Sequence, residues 1–409
     1  MKPLHLSGWG VKMRVQNLRS RSELEITNGR EDDRAESMRR FRPRRFPYTS
    51  IIIDGHSGYV SLQAFHWLSR NKVPVFILDY DGSMISSILP PSPVKADLRA
   101  AQIKASEDAK RKFSIAKSIV QAKVARSLQV LDWLAQRYDI EKQVRLTRGE
   151  ALRLGRTRSV VDLRTVEGRV ALRYWQAYSS VLPESLDFQG RMTSSHQNNA
   201  SDPVNLALNY AYGVLEGECR AAINAVGLEP SVGFLHETSG YQTKQSLVYD
   251  LQEPFRWIAD VVVMDAFESG VLDLPDFYFT GDDYRYRFEP EARKRFLDLL
   301  RERFNSGVRY KDRALKWDSV IEQKAVELGR YLVGRTSTLD FSGPSPSLVR
   351  VDDHGLRRKI LGLSMSEARN LEIKKSTLHY LRKSAANNRP FKVYRKLQQR
   401  LQPVLKWKR

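Results

Sequence analysis

The sequence predicts an α+β multidomain chain, with a small N-terminal β-rich domain, a large all-α domain and a C-terminal helix-turn-helix. Three observations predict it. Apolar residues occur in short alternating or β-branched runs up to about residue 91, they recur at a helical period from about residue 98 to 335, and basic residues crowd the chain beyond Val351.

The first part holds LHLSGWGVKMRVQN, TSIIIDG, VPVFILD and MISSIL, which read as strands punctuated by Gly and Asn, with one helical insert near Leu62–Ser69. PPSPVKADL follows, and its prolines mark a hinge. Segments such as LRAAQIKASEDAKRKFSIAKSIVQAKVARSLQVLDWLAQRY and TVEGRVALRYWQAYSSVL then carry apolar residues at i, i+3, i+4 and i+7, the spacing of helices that bury one face. STLDFSGPSPSLVRVDDHG is a second break, rich in Ser, Pro, Gly and Asp. The expected domains are therefore 1–91, β-rich, 98–335, helical, and 351–409, basic.

Composition narrows the function. The 409 residues are 41% hydrophobic and 10% aromatic, enough for sizeable cores. Lys and Arg number 68 against 47 Asp and Glu, a net charge of +21, which points to a polyanionic partner. WIADVVVMDAF, the most apolar segment, is broken by Asp260 and Asp265, and no run reaches the roughly 18 apolar residues that a membrane span needs. MKPLHLSGWG shows no apolar signal core. The single Cys219 excludes an internal disulfide framework and a cysteine-rich zinc site, and it fits a reducing compartment. A cytoplasmic, prokaryotic, nucleoid-associated protein with no membrane partner is expected.

From Val351 to Arg409 there are 16 Lys and Arg against 4 Asp and Glu, so this tail carries +12 of the total. Within it, ARNLEIKKSTLHYLRKS places Ala368, Leu371, Ile373, Leu378 and Leu381 at the spacing of two short helices joined by a tight turn. The second helix would present Lys374, Lys375, Ser376, Thr377, His379, Tyr380, Arg382 and Lys383 to phosphates and base edges. Glu372 stands in the turn where glycine is the usual residue.

Three carboxylates and one histidine invite a chemical reading. Glu167 lies in SVVDLRTVEGRVALRYWQAY among Val161, Leu163, Val166, Val170, Leu172 and Trp175, and a carboxylate in such company needs a partner, for which Arg164 and Arg169 are the nearest candidates. In GFLHETSGYQTKQSLVYDLQEPF, Asp250 and Glu253 are three apart and fall on one helix face, with His236 upstream. Each has an ordinary reading too: a capping box before Pro254 for the carboxylates, and a satisfied core imidazole for His236.

Taken together the motifs resemble a known family. Asp202-Pro203-Val204-Asn205, Tyr212-Gly213, Gly227-Leu228-Glu229-Pro230, Gly233-Phe234-Leu235-His236 and Ser246 to Arg256 (SLVYDLQEPFR) are similar to the core signature of the CRISPR spacer-acquisition integrases. HSGYVSLQAFHWLSRNKVPVFILDYDGS resembles that family's N-terminal helix-strand hairpin, and the likeness covers residues 1 to about 335. It implies that 98–335 is the catalytic domain and 1–91 a dimerisation unit, and that Glu167, His236 and Glu253 are metal ligands for Mn²⁺ or Mg²⁺, with Asp250 catalytic beside them, binding a second ion or supporting the first, and Glu253 the more direct ligand of the two. Asn205, Tyr212 and Arg256 would support the site. The added basic tail resembles the casposase branch, transposon-encoded relatives that join the 3′-hydroxyl ends of donor DNA, at terminal inverted repeats, to target DNA. That implies double-stranded DNA and a second copy of the chain as partners, as a dimer or a tetramer on DNA, with no obligatory small subunit. The alternatives are a spacer-acquisition integrase or endonuclease working with a small partner protein, and a non-catalytic DNA-binding protein.

Overall fold

The computed structural model describes residues 3–18, 21–29, 38–55, 57–93, 95–136, 138–191, 200–236, 245–281, 285–344 and 360–386. The N-terminal part holds β1 (Pro3–Leu6), β2 (Val11–Leu18), β3 (Arg21–Thr27), β4 (Met38–Phe41), β5 (Ser50–Ile53), β6 (Gly58–Val60), α1 (Leu62–Arg70), β7 (Val75–Leu78) and β8 (Met84–Ile88). They form two four-stranded sheets, ordered β1-β5-β7-β8 and β4-β3-β2-β6. The strand β5 runs parallel to both of its neighbours and is buried along its whole length, which is why SIII shows no alternation. Leu4, Met13, Leu24, Ile26, Ile51, Trp67 and Val75 share one core, so both sheets and α1 fold as a unit.

Ten further elements build the helical body: α2 (Ala96–Glu107), α3 (Ala109–Ala135), α4 (Glu141–Ala151), a 3-10 turn (Leu152–Arg156), α5 (Val160–Ser179), α6 (Pro203–Val226), α7 (Ser246–Gln252), α8 (Arg256–Ser269), α9 (Pro290–Asn305) and α10 (Trp317–Leu332). Most of α6 is buried; it starts where the Asp202 carboxylate accepts the Asn205 amide and Pro203 presets the backbone, and stops at Gly227 with φ +86°. It also meets the N-terminal sheet. Gly82, at φ +81°, lies against the backbone of Tyr210, and Gly213 lies under the Gly82 carbonyl, so a Cβ at either position would collide with main chain. Ile52, Phe76 and Leu78 from the first sheet accordingly belong to the helical core.

Two findings depart from an all-α body. FYFT and RYRF form an antiparallel pair, β9 (Phe277–Thr280) with β10 (Arg285–Phe288), and GVRY and RALK form another, β11 (Gly307–Tyr310) with β12 (Arg313–Lys316). The second closes through Lys311 (φ +47°) and Asp312 (φ +62°), the two left-handed positions that a two-residue hairpin turn requires. The second break is also not wholly free linker. Phe341 is buried in the helical core, the buried Arg126 donates to the carbonyls of Ser342 and Gly343, and the buried Lys324 donates to that of Asp340. Residues 345–359 and 387–409, which hold the rest of the break and much of the tail, lie outside the described residues.

In the described tail, α11 (Met365–Asn370) and α12 (Lys375–Ala386) enclose Ile360, Leu363, Ala368, Ile373, Leu378 and Leu381. The link between them is a Schellman turn: the Ile373 amide donates to the Ala368 carbonyl and the Glu372 amide to that of Arg369, with Glu372 at φ +53°. The left-handed position that favours glycine is thus present, and glutamate occupies it.

Candidate metal centre

Four pieces of chain converge on one place. From α3 comes Lys123, from α5 Glu167, from the segment after Gly233 His236, and from α7 and the 3-10 turn beyond it Asp250 and Glu253. The proline in Glu253–Phe255 interrupts the helix between α7 and α8. Neither carboxylate side chain caps a helix. Asp250 lies inside α7, and no side-chain cap bond is made at Gln245, Gln252 or Phe255, the residues that begin the three successive turns.

Lys123 Nζ stands 2.5 Å from Glu167 Oε1 and 2.5 Å from Glu253 Oε2. Neither arginine expected beside Glu167 accounts for its burial. Arg164 donates to the Leu235 carbonyl from Nε at 2.8 Å and Nη2 at 2.5 Å, and Arg169 faces Glu150 at 3.7 Å. Of the apolar residues around Glu167, Val161 and Leu172 face outward, so Glu167 sits at the border of the buried stripe.

Asp250 is buried beneath His236. Its Oδ2 accepts the amides of Phe234 (2.5 Å) and Leu235 (3.0 Å), and its Oδ1 faces the His236 amide at 2.9 Å and the ring Nδ1 at 2.8 Å. A carboxylate on Nδ1 selects the tautomer that leaves the lone pair on Nε2, the nitrogen available to an electrophile. The turn is tight enough to require Gly233, where a Cβ would come within 2.9 Å of the His236 carbonyl.

The charges interlock. Burial pushes the Glu253 carboxyl up, but Lys123, Arg256 and His236 more than offset it and hold it at about 2. Burial pulls the Lys123 ammonium down, and Glu253 and Glu167 raise it further than burial lowers it. His236 is likewise raised, burial being outweighed by Asp250 and then Glu253. Glu253 Oε2, although 2.5 Å from the ammonium, makes no hydrogen bond of acceptable direction.

The supporting residues fall at different depths. Arg256 Nη1 is 3.3 Å from Glu253 Oε1, and its guanidinium lies 4.1 Å from the centre of the Tyr212 ring. The Tyr212 hydroxyl donates to the buried Asp260 Oδ1 at 2.5 Å, while Tyr174 donates to Oδ2 at 2.7 Å and Tyr178 to the Asp260 carbonyl at 2.7 Å. Asn205 is one step further off. It braces the start of α6 through Asp202 at 2.6 Å and accepts from Arg191 at 3.0 Å.

Among the described residues no three His, Cys, Asp or Glu side chains stand ready as a ligand cluster, and Lys123 fills the space between two of the expected ligands. The donor set nonetheless fits Mg²⁺ or Mn²⁺. Two carboxylates converge on a point that already holds a positive charge, one of their oxygens has no directed hydrogen bond, and an oriented imidazole flanks them.

In the tail, Lys374, Lys375, Ser376, His379, Tyr380 and Lys383 are exposed and Thr377 is half-buried. Arg382 turns inward and donates to the carbonyls of Leu363 and Ile360, so it clasps the tail's own core rather than facing solvent with the others.

Neither Lys123 nor Asp260 is among the site residues expected from sequence. The signal was present for both. Lys123 is i+4 from the buried Ile119 and i+3 from the buried Val120, and Asp260 lies within an apolar helix.

Comparison with known proteins agrees with this architecture. A family model described as CRISPR associated protein Cas1 matches residues 24–302. The CRISPR-associated endonuclease Cas1 1 of Archaeoglobus fulgidus is 30% identical over 323 residues, 74% of this chain and 90% of that protein. Its namesake from Methanospirillum hungatei is 28% identical over 81% of this chain and 96% of its own length. Among solved structures, a casposase bound to integration product is 36% identical and superposes with a TM-score of 0.80 over 88% of this chain and 99% of that one. A Cas1 protein from Thermotoga maritima shares the fold at 14% identity and a TM-score of 0.66.

Proposed function

The chain belongs to the CRISPR associated protein Cas1 family, and from that premise we propose that it is a casposase-type DNA integrase, which joins the 3′-hydroxyl ends of a donor DNA to a target by divalent-metal-dependent strand transfer. The observation that carries the reading is the meeting of Glu167 and Glu253 on one cation beside an imidazole oriented by Asp250. The resemblance to a casposase at 36% identity favours this branch.

Glu167, Glu253 and His236 Nε2 would hold the Mn²⁺ or Mg²⁺. That ion would supply positive charge to a reacting phosphodiester and acidify the attacking hydroxyl. The chain's own residues do the rest. Asp250 acts as a positioning residue: its lone pairs are engaged by three amides and the imidazole, so it fixes where His236 points. Arg256 keeps the Glu253 carboxylate ionised and presents a partly exposed guanidinium suited to a phosphate oxygen. The Asp260 network ties α5, α6 and α8 together behind the site. The two cuts of a staggered integration need two such sites, so a dimer through the N-terminal domain is proposed, with 98–335 as the catalytic body and 351–409 as the unit that grips donor ends.

The test uses the full chain alone, a labelled 3′-hydroxyl oligonucleotide, a supercoiled plasmid and Mn²⁺ or Mg²⁺. Label covalently joined to plasmid, and lost in Glu167→Gln and Glu253→Gln, supports the proposal. Joining that appears only after a small partner protein is added moves the function to spacer acquisition, and hydrolysed products without joining move it to a simple nuclease.

A further inference from the structure

Lys123 belongs to none of the roles above, yet it lies nearer to both acidic ligands than any other cation described. The long helix α3 holds it firmly: Ile119, Val120 and Val124 are buried, so the stem of Lys123 leaves from the packed face of the helix and its ammonium ends inside the site, with the side chain 20% exposed. An ion pair that served only to pin α3 to α5 would need one carboxylate. Here one ammonium is shared between Glu167 of α5 and Glu253 after α7, at 2.5 Å from each. Two acidic groups brought this close in a half-buried place repel each other unless a cation stands between them.

We infer that Lys123 is the built-in counter-cation of the Glu167–Glu253 pair, holding the two carboxylates together in the metal-free protein and giving up its position when a divalent ion enters. The inference rests on the assignment of Glu167 and Glu253 as ligands made above. It has two consequences. Metal entry is a competition with a tethered ammonium, so the lysine weakens metal affinity while stabilising the empty site. Metal entry would also release a lysine ammonium at the edge of the site, where it could meet a phosphate of bound DNA.

The test is a Mn²⁺ titration of the full chain, read by electron paramagnetic resonance of free Mn²⁺ and by thermal unfolding with EDTA or Mn²⁺, for wild type, Lys123→Met and Lys123→Arg. Lys123→Met keeps the stem and removes the charge. It is expected to melt below wild type in EDTA, to gain more from Mn²⁺ than wild type does, and to bind Mn²⁺ roughly tenfold tighter. Lys123→Arg keeps the charge and is expected to melt near wild type in EDTA. A Lys123→Met chain that binds Mn²⁺ no tighter than wild type overturns the inference, and so does one that fails to fold in EDTA and in Mn²⁺ alike, because the ion should replace the lost charge. A wild-type chain that takes up no Mn²⁺ overturns instead the ligand assignment on which the inference stands.

Discussion

Asp250 lies directly behind His236, its Oδ1 2.8 Å from the ring Nδ1 and its Oδ2 bonded to the amides of the two preceding residues. One carboxylate therefore sets both the path of the backbone and the orientation of the imidazole. Asp250→Asn keeps the volume but turns an NH₂ toward an amide or the ring. We expect strand joining to fall by about 10–100-fold, the range for losing a residue that orients a metal ligand. Stability should drop by roughly 1–3 kcal/mol for the mispaired buried groups. Joining assays and thermal melts of the same preparation check both.

Acid stability reports on Glu253. Its carboxyl is held at about 2 against an ordinary 4.5, so its contribution is fully present above pH 4.5 and is lost as pH falls from there toward 2. In EDTA the wild-type melting temperature should decline through that window, and Glu253→Gln should decline less steeply. His236 works in the opposite sense: its raised value stabilises the metal-free fold below the ordinary imidazole pKa, and the gain disappears as pH rises through the folded value. His236→Gln should remove that component. A wild-type pH profile unchanged by either substitution would sink this account.

Asp260 is a buried carboxylate whose oxygens are occupied by Tyr212 and Tyr174. Burial pushes its carboxyl up, and the tyrosine hydroxyls pull it part of the way back. Tyr174→Phe and Tyr212→Phe should each cost about 1.5–3 kcal/mol, the range for a hydrogen bond to a charged group. Since both act on one carboxylate, a double-mutant cycle by chemical denaturation should show non-additivity of about 0.5–3 kcal/mol.

Two positions carry the less stable residue for their backbone. Gly168 is exposed in the middle of α5 with no atom near its missing Cβ, and Glu372 stands at φ +53° in the tail turn. Gly168→Ala should stabilise by about 0.5–1 kcal/mol through helix propensity. Glu372→Gly should stabilise the tail by about 1 kcal/mol by removing a left-handed Cβ. Thermal melts of the full chain test the first, and hydrogen exchange of α11 and α12 amides tests the second.

The strap at residues 339–343 dictates where the tail can be cut. A chain ending at Pro344 keeps Phe341 in the core and the carbonyls that hold Arg126 and Lys324, whereas one ending at Thr338 removes Phe341 and takes those carbonyls from Arg126 and Lys324. Losing the Phe341 contacts should cost about 1.5–3 kcal/mol, with more for the stranded cations. The Pro344 form should therefore melt near wild type and the Thr338 form well below it. On DNA, Lys374→Ala with Lys375→Ala should lower the slope of log affinity against log salt by about 0.9 for each phosphate contact removed.

Much of this was readable from residues alone. Period-two and period-3.6 patterning, two proline-rich breaks and a basic end gave the β-rich part, the helical body and the paired tail helices, because burial of one face imposes those periods on the sequence wherever a core forms. Spacing at residues 233–256 put Asp250 and Glu253 on one helix face, and only the family resemblance grouped His236 with them. The resemblance ranked Glu253 above Asp250 as a ligand, but spacing gave no physical reason for that division of labour. Only the folded chain separates a carboxylate consumed by three amides and an imidazole from one facing a cation. Nor could spacing pair Glu167 with Lys123 across 44 residues, join Asp260 to three tyrosines, or turn Arg382 inward while its neighbours stay exposed. Local periodicity records which face of an element is buried. Which polar groups meet inside depends on how the elements pack against one another, and that is a property of the tertiary structure.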